Sequence, residues 1–204
     1  MTQPIVTLFE LYGSAASEIG PQVADALGVR WEPQAFSSQT IEDAVIARRQ
    51  EEPDDGLLSR IFRSLGGSGS VLGDRGAETL YAASDYDMVQ ENNRYVLEST
   101  KDGGVLLGRN GAIILADRPG ALHVLLTGTV EDRVARAAAE AGISGEQAAR
   151  RQVSEDTIRA EMSQRLYYWD PRDPARYDLV VNTSRIAIPT AVQIIVDASR
   201  GARV

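Results

Sequence analysis

Cysteine is absent from this chain of 204 residues, and lysine and histidine occur once each, as Lys101 and His123. Without cysteine the chain can form no disulfide bond, no thiolate metal site and no catalytic thiol. The sequence also lacks a signal-peptide pattern and any apolar run of about 18 residues, so we expect a cytoplasmic protein without a membrane partner. His123 stands inside an apolar run, where we expect a core or edge residue and not a catalyst.

Positive charge is therefore carried almost entirely by arginine, and acidic residues outnumber basic ones to leave a formal net charge of −8. This charge argues against a general surface for nucleic acid, so a phosphate site would need a local cluster of arginines. Arginine binds phosphate through two parallel hydrogen bonds, although a GC-rich genome produces the same bias. The length fits one α/β domain with room for a small inserted lobe.

The chain opens with a β-prone apolar run over residues 5–9, a turn of small residues, and helical spacing that ends at Gly28. This order is typical of nucleotide-binding α/β domains, in which the helix N-terminus faces a phosphate. The candidate phosphate-binding residues are Gly13, Ser14, Ala15, Ala16, Ser17 and Glu18.

The turn departs from the standard phosphate-binding loop, G-x-x-x-x-G-K-[ST]. No lysine precedes Gly28, Ala15 and Ala16 occupy expected glycine positions, and Glu18 would lie beside a phosphate. A plain strand-to-helix turn also fits, with Ser14 as the helix cap and Glu18 at the positive helix end. The turn alone leaves both interpretations open.

Further apolar strands near residues 105, 123 and 180, and a short one at 29–31, alternate with helical patterns. This alternation predicts a parallel sheet with helices on both faces, whose ligands bind at the carboxyl ends of the strands. Helices are predicted over residues 41–51, 57–65, 87–102, 131–141, 145–152, 154–168 and 189–199, and a short helix or a turn over residues 112–116. Weak periodicity and the run GGSGS predict a mobile inserted lobe in the middle of the chain.

Several motifs now carry a resemblance: YGSAASEIG, GVLLGRNGAIIL, DRPGALHVLLTGTVEDRVAR, EAGISGEQA and YDLVVNTSRIAIPTAV. Their order resembles the cytidylate kinase-like family, a branch of the P-loop nucleoside monophosphate kinases, over residues 4–30 and 104–197. The resemblance implies a single P-loop kinase-like domain with a core over residues 1–33 and 87–204. It also implies an inserted helical monophosphate-binding lobe at 34–86 and a lid at 143–156.

The implied reaction transfers the γ-phosphoryl group of ATP, with Mg²⁺, to a pyrimidine nucleoside monophosphate such as CMP or dCMP. By the same resemblance the turn binds the donor phosphates, Ser14 or Ser17 lies near the metal, and Arg133 and Arg136 lie on the donor side. The acceptor side would hold Arg109, Asn110, Asp156 and Arg159, and the catalytic arginines would be Arg150, Arg151 and Arg159.

Each of these assignments has a structural alternative. Asp156 and Arg159 also fit a surface ion pair, and Arg150 and Arg151 a solvated helix face. The other two arginines fit salt bridges to neighbouring acids, namely Glu131, Asp132 or Glu140. At the level of function, a nucleotide-binding protein that has lost catalysis and a protein-interaction module remain open beside the kinase.

Overall fold

The computed structural model describes residues 3–35 and 85–202. Five parallel strands form one sheet in the order β2-β3-β1-β4-β5. They are β1 (Ile5–Glu10), β2 (Trp31–Glu32), β3 (Gly104–Leu107), β4 (Ala121–Thr127) and β5 (Leu179–Asn182). Strand β1 pairs with β3 on one side and with β4 on the other, so it occupies the centre of the sheet.

Helices cover both faces of this sheet. They are α1 (Ala16–Leu27), α2 (Asp85–Ser99), α3 (Gly111–Ile114), α4 (Val130–Ala141), α5 (Gly145–Tyr167) and α6 (Ile188–Gly201). Alternate residues of β1 point to opposite faces, so Val6 joins the core with α1 and α6 while Ile5 packs with Val96 of α2. The predicted α/β sheet with helices on both faces is confirmed.

The helix predictions differ from the structure mainly in α5. Two helices were expected to meet at Ser154, but Gly145–Tyr167 is one helix of 23 residues with its N-terminal cap at Ser144. The predicted lid therefore lies in the first half of α5, and its movement stays a prediction. The predicted helices 41–51 and 57–65, and nearly all of the inserted lobe at 34–86, lie outside the described residues.

His123 lies in the sheet, as expected for a core residue. Its Nδ1 atom is 2.8 Å from Oγ1 of Thr7 on the neighbouring strand, and the residue is buried. Burial lowers the pKa of this imidazole. Of the helices that the structure describes, none combines the length and the apolar character needed to cross a membrane.

Candidate active site

The turn between β1 and α1 is held in an unusual backbone conformation. Gly13 has φ 80° and Ala15, the cap residue of α1, has φ 67°. Left-handed backbone is strained for alanine, which explains why glycine is expected there. Ser14 is fully buried, and its hydroxyl has no hydrogen-bond partner within residues 3–35 and 85–202. The prediction that Ser14 caps the helix is therefore wrong.

A carboxylate of the chain itself occupies the N-terminus of α1. The backbone N–H of Ala16 donates a hydrogen bond to Oε2 of Glu10, the last residue of β1, at 3.1 Å. Burial raises the pKa of the Glu10 carboxyl, whereas Arg159 and the Ala16 hydrogen bond act in the opposite direction. The N–H of Ala16, which a phosphate would be expected to accept from, thus already has a side chain of this chain as its hydrogen-bond partner.

Side chains from α4 and α5 hold the backbone of the turn. Asp156 accepts a hydrogen bond from the N–H of Tyr12 at 2.7 Å, and Arg133 donates to the carbonyl oxygen of Tyr12 at 3.0 Å. Arg133 also pairs with Asp156 at 3.0 Å, while Arg136 donates to the carbonyl oxygen of Gly13 at 2.6 Å. Both arginines contact carbonyl groups of the turn, and their assignment to the donor side stays a prediction.

The structure shows different ion-pair partners for Arg133 and Arg159 from those that the sequence left open. Arg133 forms its ion pair with Asp156 and not with the acids beside it on α4. Arg159 pairs with Glu155, and its Nη1 atom lies 3.3 Å from the carbonyl oxygen of Glu10 and 3.8 Å from Oε1 of that residue. An ion pair between Asp156 and Arg159 is therefore not formed.

An open cleft of about 580 Å³ runs along the turn. Ser17 and Glu140 lie on its wall, and the Ser17 hydroxyl donates to Oε1 of Glu140 at 2.7 Å. Arg151 also lines the cleft and contacts the Tyr12 hydroxyl, whose pKa is raised by burial and lowered by this arginine. Arg150 instead is exposed and pairs with Glu146, so only the second of the neighbouring arginines faces the cleft.

A second cavity, of about 100 Å³, lies between α2, α5 and the end of β3. Arg109, Asn110 and Tyr167 line it, together with apolar side chains such as Met88 and Met162. Four residues line both this cavity and the cleft: Glu10, Gln34, Leu107 and Arg159. The two cavities therefore meet at the pair formed by Glu10 and Arg159.

Arg109 reaches this cavity from a turn of three residues in the left-handed region. The turn comprises Gly108, Arg109 and Asn110, with φ values of 72°, 53° and 57°. The Arg109 guanidinium lies over the Tyr95 ring, 4.0 Å from its centre, and its buried Nε has no hydrogen-bond partner among the residues described. Asn110 accepts a hydrogen bond from the Trp169 indole at 2.9 Å.

The residues that sequence reasoning missed are Glu10, Tyr95, Glu140 and Glu155. An acidic residue directly before the small-residue turn was a usable signal for Glu10. Glu155 pairs with Arg159 one helical turn away, a spacing that the sequence also shows. The roles of Tyr95 and Glu140 depend on contacts between elements far apart in the chain, for which the sequence carries no local signal.

A curated protein is similar in sequence to a large part of this chain. A uronate isomerase of Corynebacterium glutamicum is 34% identical over 143 residues, which are 70% of this chain and 27% of that protein. The chain therefore spans about a quarter of the length of this curated relative.

Three solved structures are similar over nearly the whole chain. An uncharacterized protein from Eubacterium ventriosum has a TM-score of 0.67 at 14% identity, covering 97% of this chain and 99% of that one. A gluconokinase from Sinorhizobium meliloti has a TM-score of 0.51 at 14% identity, covering 98% and 93%. A shikimate kinase from Bacteroides thetaiotaomicron has a TM-score of 0.50 at 10% identity, covering 97% and 98%. At these identities the similarity shows the fold, which is that of the P-loop kinases.

A family model, described as the cytidylate kinase-like family, matches residues 5–185. This range covers most of the chain and every residue that lines the cleft, from the end of β1 to Arg159 of α5. The chain belongs to the cytidylate kinase-like family.

Proposed function

We propose that the protein transfers the γ-phosphoryl group of ATP to a nucleoside monophosphate, with a pyrimidine nucleotide such as CMP or dCMP as acceptor. One observation carries this proposal: the cleft along the small-residue turn meets the cavity of Arg109 at Glu10 and Arg159. A donor in the cleft and an acceptor in the cavity would face each other at that point. Family membership supports nucleotides as both substrates.

On the donor side, the backbone N–H groups of the turn and the positive end of α1 would bind the ATP phosphates. Their binding requires that the carboxylate of Glu10 leave the N–H of Ala16, since both compete for the same donor. Arg151 lies on the same wall and would stabilise negative charge on the transferred group. Arg133 and Arg136 contribute indirectly, because they fix the carbonyl groups of the turn.

The residues of the cleft also fit a magnesium ion. The Ser17 hydroxyl and the Glu140 carboxylate lie 2.7 Å apart on its wall, and both are the hard oxygen ligands that Mg²⁺ prefers. Ser14 is a weaker candidate because its hydroxyl is buried within the turn. A bound Mg²⁺ would neutralise charge on the donor phosphates.

On the acceptor side, Arg109 would bind the phosphate of the monophosphate. Its guanidinium is oriented by Tyr95, and its Nε retains an unused hydrogen-bond donor within the described part of the chain. Asn110 supports this arrangement through its bond to Trp169. Asp156 is engaged with the turn, so its contribution would be to the donor side.

A coupled assay of ADP release with a panel of nucleoside monophosphates tests the proposal. We expect turnover with CMP or dCMP above the rate without acceptor. A protein that binds ATP but shows no increase with any monophosphate would contradict the assigned acceptor class.

A second candidate is a nucleotide-binding protein without catalysis. Two observations favour it: the turn has no lysine, and Glu10 already occupies the Ala16 N–H. Loss of a cation that stabilises the transition state typically costs several kcal/mol. Calorimetric ATP binding without turnover on any acceptor would support this candidate, and the absence of both would favour an interaction module.

A further inference from the structure

The meeting point of the two cavities holds one carboxyl group and one guanidinium, those of Glu10 and Arg159. Arg159 lies between two carboxylates, pairing with Glu155 and lying 3.8 Å from Oε1 of Glu10. All three side chains are largely buried, so water screens them weakly. Arg159 is therefore shared between two acids, and Glu10 is the one of them that lines both cavities.

The Glu10 carboxyl bears on the kind of acceptor atom that can react here. The phosphate of a nucleoside monophosphate is close to a dianion at neutral pH and has almost no proton to give up during the transfer. A hydroxyl group brings no charge, but it has to give up a proton during phosphoryl transfer. A carboxylate within reach is the usual acceptor for that proton.

We propose that Glu10 is the proton acceptor for a second class of substrates, small hydroxy acids, whose hydroxyl group is phosphorylated at this point. The acid group of such a molecule would bind Arg109 at the other end of the same cavity. The inference rests on ATP as donor, which the proposed function supplies, but not on a monophosphate acceptor.

The reaction balances without another reactant. The hydroxyl oxygen forms a bond to the γ-phosphorus of ATP as the bond to the bridging oxygen breaks, and ADP leaves with that electron pair. The hydroxyl proton passes to the Glu10 carboxylate, which then returns it to solvent.

Glu10 is the suitable carboxylate because of its position. Among the nearby acids, Glu155 lines neither cavity and Glu140 lines only the cleft, whereas Glu10 lines both. Donor phosphates bound at the Ala16 N–H would release Oε2 of Glu10 toward the acceptor cavity. Burial also raises the pKa of this carboxyl, which makes the carboxylate a stronger base.

The test measures ADP release with ATP and D-gluconate, D-glucuronate or D-glycerate as probes, beside CMP. Glu10→Gln keeps an oxygen for the Ala16 N–H but removes the basic carboxylate. With a hydroxy acid we expect turnover to fall about 100-fold in this variant, while ATP binds at least as tightly because a negative charge beside its phosphates is gone. Glu161→Gln, an exposed change on α5, is the matched control and should stay within about twofold of wild type.

Two further readouts separate a base from a structural residue. Turnover of the wild type should decrease as the pH falls through the pKa of Glu10, and the residual activity of Glu10→Gln should lack this decrease. Glu10→Asp should restore part of the activity. If Glu10→Gln does not fold, turnover of the wild type with each acceptor still shows whether a hydroxy acid is a substrate. The pH profile of that turnover still shows whether a basic group is needed.

The outcomes distinguish this inference from the proposed function. Turnover with CMP alone overturns the inference and leaves the monophosphate proposal standing. Turnover with a hydroxy acid alone supports the inference and overturns the monophosphate proposal. Turnover with neither overturns both, and hydroxy-acid turnover that survives Glu10→Gln overturns the role of Glu10.

Discussion

At the scale of single residues, the cavity that Arg109 lines depends on how this arginine is held. Non-glycine residues in the left-handed region cost about 1 kcal/mol or more each, and the Arg109 turn contains two of them. The surrounding contacts offset this cost, because Asn92 donates to the Arg109 carbonyl at 2.8 Å and Trp169 bonds to Asn110. Strain maintained by several contacts is typical of residues that bind a ligand.

Replacing this arginine with lysine should separate binding from stability. We expect Arg109→Lys to weaken CMP binding about 30-fold, or about 2 kcal/mol, because an ammonium cannot form two parallel hydrogen bonds to a phosphate. ATP affinity and Tm should change little. Arg118→Lys, at an exposed position, is the control, and calorimetry on both variants gives the comparison. A lowered Tm with unchanged CMP affinity would show that Arg109 serves the fold instead.

At the scale of secondary-structure elements, the sequence predicts what depends on local patterns. Strands β1, β3, β4 and β5 follow from apolar runs, because a buried parallel strand is apolar on both faces. Ser154 misled the prediction for α5, since serine favours helix caps but does not stop a helix that packs along its length. The hydrogen bond between the Tyr12 N–H and Asp156 joins residues 144 positions apart, so no local pattern indicates it.

Gly13 shows how closely α4 approaches the turn. A Cβ atom on Gly13 would lie 2.3 Å from the carbonyl oxygen of Arg133, whereas one on Gly28 would meet nothing within 4 Å. Both glycines have positive φ, so Gly28→Ala measures the backbone cost of about 1–2 kcal/mol alone. Gly13→Ala should cost roughly 1–3 kcal/mol more in urea unfolding, because it also overpacks the contact with α4. Equal costs would mean that the turn can move away from α4.

The contacts of Asp156 on α5 with Arg133 and with the Tyr12 N–H should contribute far more to the free energy of unfolding than a surface ion pair does. Asp156→Ala leaves the buried Arg133 guanidinium without its carboxylate and the Tyr12 N–H without an acceptor. We expect the free energy of unfolding to fall by about 3 kcal/mol. Asp197→Ala breaks an exposed pair with Arg200 and should cost less than about 0.5 kcal/mol. If urea titrations gave similar losses in the free energy of unfolding for both variants, Asp156 would not stabilise the turn as expected.

At the scale of the whole molecule, the fold places the cleft and the cavity together at the end of one strand. Glu10 ends the central strand β1, so the cleft beside α1 and the cavity beside β3 both open at that residue. The carboxyl edge of a parallel sheet could be predicted as the ligand site from the strand pattern alone. The contact between Glu10 and Arg159 at the meeting point could not, because it depends on α5 bringing Arg159 to the end of β1.

Two binding regions that meet should accept one molecule that spans them. We expect adenosine and cytidine joined through a pentaphosphate to bind at least about 100-fold more tightly than ATP, because the second contact forms within an already bound ligand. Calorimetry measures this, and ATP measured with saturating CMP is the control for occupation of both regions by separate molecules. The advantage should be lost in Arg109→Lys, which weakens only the acceptor end. An affinity equal to that of ATP would show that the cleft and the cavity are not occupied together, and the transfer geometry would then have to be abandoned.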